Sequence, residues 1–163
     1  MMRLWNEAFP RALVSGTVAA LASGAVAAWC GHKQRGHAAV PINAVSHIAW
    51  GGSAEKQAKR DGRNTAVGFL LHHGASIFWA LGFETAFGRR AERSVPEALL
   101  GGAATATTAY VVDYHVVPYR FVPGFEARLK DRSLFYVYAA LALGLAATAR
   151  WRAQKGRRFT TMR

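Results

Sequence analysis

Four apolar blocks interrupt an otherwise densely charged chain, at residues 12–30, 65–87, 95–118 and 134–149. A bilayer core of about 30 Å is crossed by about 20 residues of α-helix, with a working range of roughly 17–25. Each block falls near that range. A helix of a soluble bundle would instead carry a charged face at a 3.6-residue period, and the first and fourth blocks contain no charged residue at all. The pattern predicts an all-α, polytopic membrane protein forming one domain, with four transmembrane helices at those positions. It also predicts a basic tail over residues 150–163.

The segments between the blocks carry their own signals. MMRLWNEAFPR is an amphipathic lead-in with Leu4, Trp5 and Phe9 suited to the interface, and Pro10 fits a helix start. In the first block Gly16, Ala20, Gly24 and Ala28 recur every four residues, a small-residue stripe that lets helices approach closely in lipid. Packing within the bundle is the expected use of that stripe. The first connection, residues 31–64, is the longest and holds PINAVSHIAWGG. Its apolar Ile42, Val45, Ile48 and Trp50 predict a short interfacial or re-entrant helix ended by Gly51 and Gly52. KQAKRDGRN closes that connection, with Asn64 as the expected cap of the second helix. Ser94 and Glu97 have capping-box spacing at the third. Pro118 should end that helix, and Val122-Pro123-Gly124-Phe125 reads as a β-turn. Glu126 and Lys130 are spaced to pair on a short interfacial helix, and Ser133 is the expected cap of the fourth.

Charge changes the picture less than its size suggests. A net charge of +12 and a pI near 10.9 would point to nucleic acid in a soluble chain. Here the Lys and Arg gather at the ends of apolar blocks, where headgroups and topology signals account for them. No nucleic-acid partner is expected; the expected partners are the lipid bilayer and either a second copy or a membrane complex. Eleven Lys and Arg fall on the side of the two termini and ten on the other, so the positive-inside rule alone does not orient the chain. The dense tail favours both termini in the cytoplasm. The lone Cys30 rules out an internal disulfide. Signal-peptide cleavage near residue 27 is the alternative to a retained first helix, and the length of the block favours retention.

Ionisable residues inside apolar blocks are the candidate functional positions. At about 100° per residue, Thr65, Phe69, His72, His73, Ser76, Ala80 and Phe83 share one sector of the second helix. Val67, Leu70, Leu71, Phe78 and Leu81 lie opposite. On the third helix Asp113 shares its face with Gly102, Ala106 and Ala109, whereas His115 lies about 200° away. His72 falls roughly 10 Å from the start of its helix and Asp113 roughly 7 Å from the end of its own, on the same side of the membrane. The candidate cluster is therefore His72, His73 and Asp113, with His47 of the first connection as a fourth member. Histidine with carboxylate suits Zn, Fe or Cu, so metal or haem binding and proton transfer are the functional readings. The spacing lacks H-E-x-x-H or a cysteine pair, and neighbouring histidines diverge on a helix. A structural His–Asp hydrogen bond between the second and third helices is preferred, with no metal and no cofactor expected. Glu84 near Arg89 and Arg90 predicts a headgroup-level ion pair. Trp29, Trp50, Tyr119, Phe135, Tyr136 and Tyr138 fit an aromatic belt, with Trp79 a partial exception.

PINAVSHIAWGG, FLLHHGASIFWALGFE and YVVDYHVVPYRFVPGFEARL together resemble a set of small bacterial inner-membrane proteins with PINA–SH–WG, paired-His and DY–P–R–PGFE segments. The resemblance covers roughly residues 41–144. It implies a four-helix inner-membrane protein, proteobacterial in origin, and it implies no activity. The expectation is a non-catalytic accessory or structural membrane component. The alternatives are a metal- or haem-binding membrane protein and a small proton-coupled transporter using the His72/His73/Asp113 cluster. No Ser/His/Asp arrangement or glycine-rich phosphate loop suggests a nucleophilic enzyme.

Overall fold

The computed structural model describes residues 2–52 and 61–160. Among these the chain is all α, with helices α1 (Met2–Arg35), α2 (Ala39–Val45), α3 (His47–Trp50), α4 (Gly62–Ala86), α5 (Gly88–Ala91), α6 (Val95–Val111) and α7 (Asp131–Thr160). Three helical stretches are long and apolar enough to cross a membrane: Glu7–Arg35, Gly62–Ala86 and Asp131–Gly156.

α1 and α7 outrun their apolar blocks because helix-forming charged residues flank them without a breaker, whereas α4 nearly matches its block and α6 ends at Val111, short of the expected 118. α1 continues through Pro10, which therefore lies inside the helix and not at its start. It stops where Gly36 takes φ 71° and returns its N–H to the His32 carbonyl at 3.0 Å, the left-handed C-terminal cap. Asp61, not Asn64, caps α4, accepting the Arg63 N–H. Asn64 sits one turn in and accepts from the Trp50 indole at 3.1 Å. The expected Ser94 cap is present, accepting from the Glu97 N–H at 3.3 Å. α6 passes into a π turn at Val112–Val116, closed by Val117 N–H to Val112 O, and Val117 is extended because Pro118 follows. Gly124, at φ 85° and ψ −1°, holds the third position expected of the β-turn. The anticipated helix beyond it is only a 3₁₀ turn, Phe125–Ala127. α7 starts at Asp131, so Ser133 lies within it and its Oγ accepts from Gln34 Nε2 at 2.5 Å. The KQAKR portion of the first connection and the last three residues of the basic tail lie outside the described residues. The remainder of the tail continues α7 as helix.

α1 is the central helix, packed along α4 on one side and α7 on another, while α6 lies mainly on α7. Small residues set these contacts. A Cβ added at Gly16 would stand 2.6 Å from the Ile77 Cα, and one at Gly144 would stand 2.7 Å from the Ala19 Cα. Both are too close for any side chain. In lipid, where tails are as apolar as Leu, such backbone proximity supplies the van der Waals contact that joins helices. Ala20 and Gly24 continue the buried stripe toward α4.

The α2–α3 segment is no surface ornament. Residues 41–47 are all buried, because α2 is wedged between α1 and α4. A Cβ at Gly31 would meet the Pro41 ring at 2.5 Å, and one at Gly68 would collide with the Ile42 carbonyl oxygen. Its polar side chains are satisfied inside: Thr65 Oγ1 donates to Asn43 Oδ1 at 2.7 Å and Ser46 Oγ donates to Asn43 O at 2.7 Å. Below it, residues 117–130 fold back under the helices, held by Arg120 to Ile48 O, Arg35 to Arg128 O and Lys130 N–H to Gln34 Oε1.

The opposite end is ionic. Glu84, fully buried, receives both of its oxygens' bonds from Arg152 at 2.8 Å, and Arg152 Nε reaches Glu92 at 3.1 Å. Arg11 lies 3.4 Å from Glu92 and Arg150 donates to the Glu92 carbonyl at 2.7 Å. Glu84 is thus ion-paired as expected, but to Arg152 of α7 and not to Arg89 or Arg90. Arg89 pairs with Glu7 at 2.9 Å.

Candidate functional site

α4 places His72 and His73 on adjacent flanks of its buried face, with Leu70 and Phe78 outside. Adjacent residues on a helix are about 100° apart, so the two rings leave in different directions. Both nevertheless go to α1. His72 Nε2 lies 3.2 Å from the Ala20 carbonyl and 3.1 Å from Ser23 Oγ. A carbonyl only accepts, so that nitrogen carries the proton and donates; Ser23 uses its own hydroxyl hydrogen on the Ala19 carbonyl at 2.7 Å. His73 Nε2 meets Thr17 Oγ1 at 2.8 Å, and Thr17 in turn donates to Leu13 O at 2.7 Å. By the same logic His73 donates to Thr17. Two histidine N–H groups therefore fasten α4 to α1 one turn apart.

Asp113 sits in the π turn after α6. Its Oδ2 accepts from the Tyr138 hydroxyl at 2.7 Å, and the Trp79 indole lies beside it as a second donor. The wider π turn leaves Asp113 and Tyr114 half-buried and His115 exposed, in keeping with their opposite positions on the wheel. Tyr138, expected in an outer aromatic belt, instead points inward and packs edge-on against Tyr110, with ring centroids 5.4 Å apart.

His72 and Asp113 do share a chamber. A cavity of about 90 Å³ opens between α1, α4 and α7, with Ser23, His72, Ser76, Trp79, Asp113 and Tyr138 supplying its polar wall. Phe121, Pro123 and Phe125 of the third connection form its floor, and Phe125 meets the His72 ring edge-on at 5.7 Å. The expected His72–Asp113 hydrogen bond is not formed. Each has taken a nearer partner, and no ion pair within 4.0 Å joins them among the described residues. His47 stands apart from the chamber: its Nδ1–H donates to the Ala44 carbonyl of its own turn at 2.8 Å. Among the described residues no group of three or more His, Cys, Asp or Glu is placed to hold a metal ion. The volume admits a few waters, each occupying about 30 Å³ in the liquid, and excludes a porphyrin.

Half-exposed at the edge of the floor, Glu126 loses part of its hydration. That loss pushes its carboxyl above the usual range, against the opposing pull of its own backbone N–H, then of His47 and the backbone at Gly124. The residues sequence reasoning passed over are Thr17, Ser23 and Tyr138. Ser23 adjoins Gly24 in the small-residue stripe, and a hydroxyl there was the available signal. Tyr138 looks like any belt aromatic in sequence, and only the α6–α7 packing turns it onto Asp113. Compared with models of known protein families, with curated proteins and with solved structures, the chain matches none.

Proposed function

We propose that the chain is an inner-membrane protein that crosses the bilayer four times and serves as a non-catalytic accessory or structural component. α6 with its π turn forms the fourth crossing. The observation that carries the non-catalytic part is the use of the polar groups. His72 and His73 are spent on tying α4 to α1, and Asp113 on tying the end of α6 to α7 through Tyr138. Membrane residence is supported by large apolar side chains on the outer surface, with Leu70, Phe78, Leu100 and Phe135 each about two-thirds exposed. A soluble chain would not leave three helices so dressed. The motif resemblance to small proteobacterial inner-membrane proteins points the same way. Both termini are assigned to the cytoplasm, where the dense basic charge of α7 meets anionic headgroups. Resistance of the protein to alkaline extraction from membranes tests residence, and a topology reporter fused after Arg163 tests orientation. A periplasmic signal overturns the latter.

The shared cavity favours one second reading, a proton or small polar solute lodged between His72 and Asp113. Proteoliposomes discriminate the two. Proton flux that is abolished by Asp113→Asn supports transport, and flux indistinguishable from empty vesicles supports the structural role.

A further inference from the structure

At the ionic end of the bundle, α1, the end of α4 and α5 enclose a second pocket of about 250 Å³. Its charged lining is Arg11, Arg89, Arg90 and Arg93 against Glu7 and Glu84. The two carboxylates are already engaged, Glu7 by Arg89 and Glu84 by both bonds from Arg152. Arg90 and Arg93 have no carboxylate within 4.0 Å among the described residues, and both are exposed. They leave one short turn, three residues apart, so their guanidinium groups can converge on a single anion. Guanidinium is the side chain suited to planar, paired recognition of phosphate oxygens. The pocket also lies at the level where α1 and α4 change from apolar to charged.

We propose that this pocket binds the phosphate of an anionic phospholipid headgroup, with Arg90 and Arg93 as its principal ligands and Arg11 and Arg89 completing the positive wall. The proposal rests on the membrane reading above for the source of the phosphate, and on the pocket alone for the chemistry. A basic pocket at the cytoplasmic end of a bundle draws anionic lipid by both long-range attraction and direct hydrogen bonding.

The test uses the full chain purified in an uncharged detergent. It is titrated with phosphatidylglycerol, with phosphatidylcholine and with inorganic phosphate, binding being read by native mass spectrometry and by thermal midpoint. Saturable binding of phosphatidylglycerol is expected, with phosphatidylcholine much weaker, and Arg90→Gln/Arg93→Gln should weaken the former at least tenfold. Arg90→Lys/Arg93→Lys should recover part of it, because charge returns without the guanidinium fork. An unchanged affinity in the Gln variant, or equal binding of both lipids, overturns the site. Inorganic phosphate matching the lipid at equal concentration overturns the lipid as source and assigns a free anion. Should the double variant not fold, the single Arg93→Gln is read by the same criteria. Loss of membrane residence would overturn the four-crossing reading and leave the phosphate titration standing, so the two failures are distinguishable.

Discussion

The Glu84–Arg152 pair offers a sharp quantitative test, since Glu84 has no exposed side-chain surface and Arg152 keeps only 17% of its own. Arg152→Gln would leave the buried Glu84 carboxylate without its cation, because Glu92, the other partner of Arg152, is itself an acceptor and offers no proton in its place. Removing one partner of a buried ion pair costs about 3–5 kcal/mol, because the remaining charge is uncompensated. At about 1.4 kcal/mol per tenfold change, that is two to nearly four orders of magnitude in the folded-to-unfolded ratio. The chain contains its own reporter. Cys30 is the single cysteine and is 2% exposed, so a thiol-reactive dye labels it only when the fold opens. Where opening is fast relative to labelling, the labelling rate tracks the open population. Arg152→Gln should therefore speed labelling by at least a hundredfold. Glu84→Gln/Arg152→Gln should recover much of the loss, since both buried charges are then gone. Labelling accelerated less than tenfold in the single variant refutes the reasoning. A double variant as unstable as the sum of its parts would do so too.

Three further outcomes follow from the geometry. Gly68→Ala drives a methyl into the Ile42 carbonyl and should cost about 1–3 kcal/mol as overpacking, again read by Cys30 labelling; an unchanged rate would show that α2 does not sit where described. In thermal-denaturation cycles, His72→Ala with Ser23→Ala and Asp113→Asn with Tyr138→Phe should each lose less than the sum of their singles, by about 0.5 kcal/mol or more. His72→Ala with Asp113→Ala should couple less than either, and a larger coupling there would restore the direct contact. Because the folded Glu126 carboxyl is raised, the native state holds a proton that the unfolded chain has lost just above the ordinary carboxylate range. Stability from this group therefore falls as pH rises through that window. The wild-type-minus-Glu126→Gln difference in midpoint should show this fall, and a flat difference would contradict it.

The sequence made the helical character legible because hydrophobic block length and charge placement are local properties. The polar face of α4 was legible for the same reason: His72, Ser76, Ala80 and Phe83 are all buried, and the opposite Leu70 and Phe78 are exposed. What it hid was the identity of partners. Glu84 had two arginines five and six residues along the chain, yet its bonds go to Arg152, brought over by the packing of α7. The His–Asp pairing failed similarly. Depth placed His72 and Asp113 at one level, but Ser23 and Tyr138 lie nearer, on helices whose rotation no single periodicity reveals. The π turn at Val112–Val116 changed the local angular step as well, and nothing in VDYHV announces it.

The α2 wedge has a consequence for how the molecule is made. Seven residues rise only about 10 Å, too few to cross a bilayer and too few to persist as an isolated helix. With the Asn43 side chain lacking its Thr65 partner in lipid, this segment has no stable place until both walls of its slot exist. One wall is α1, already emerged; the other begins at Asp61 and is synthesised afterwards. Insertion of residues 39–50 must then wait for α4, which dates the closure of the chamber wall formed by Val45 and Ile48 to a step after α4 has emerged. A ribosome stalled before α4 would leave the loop accessible from the water side, whatever the finished protein conceals.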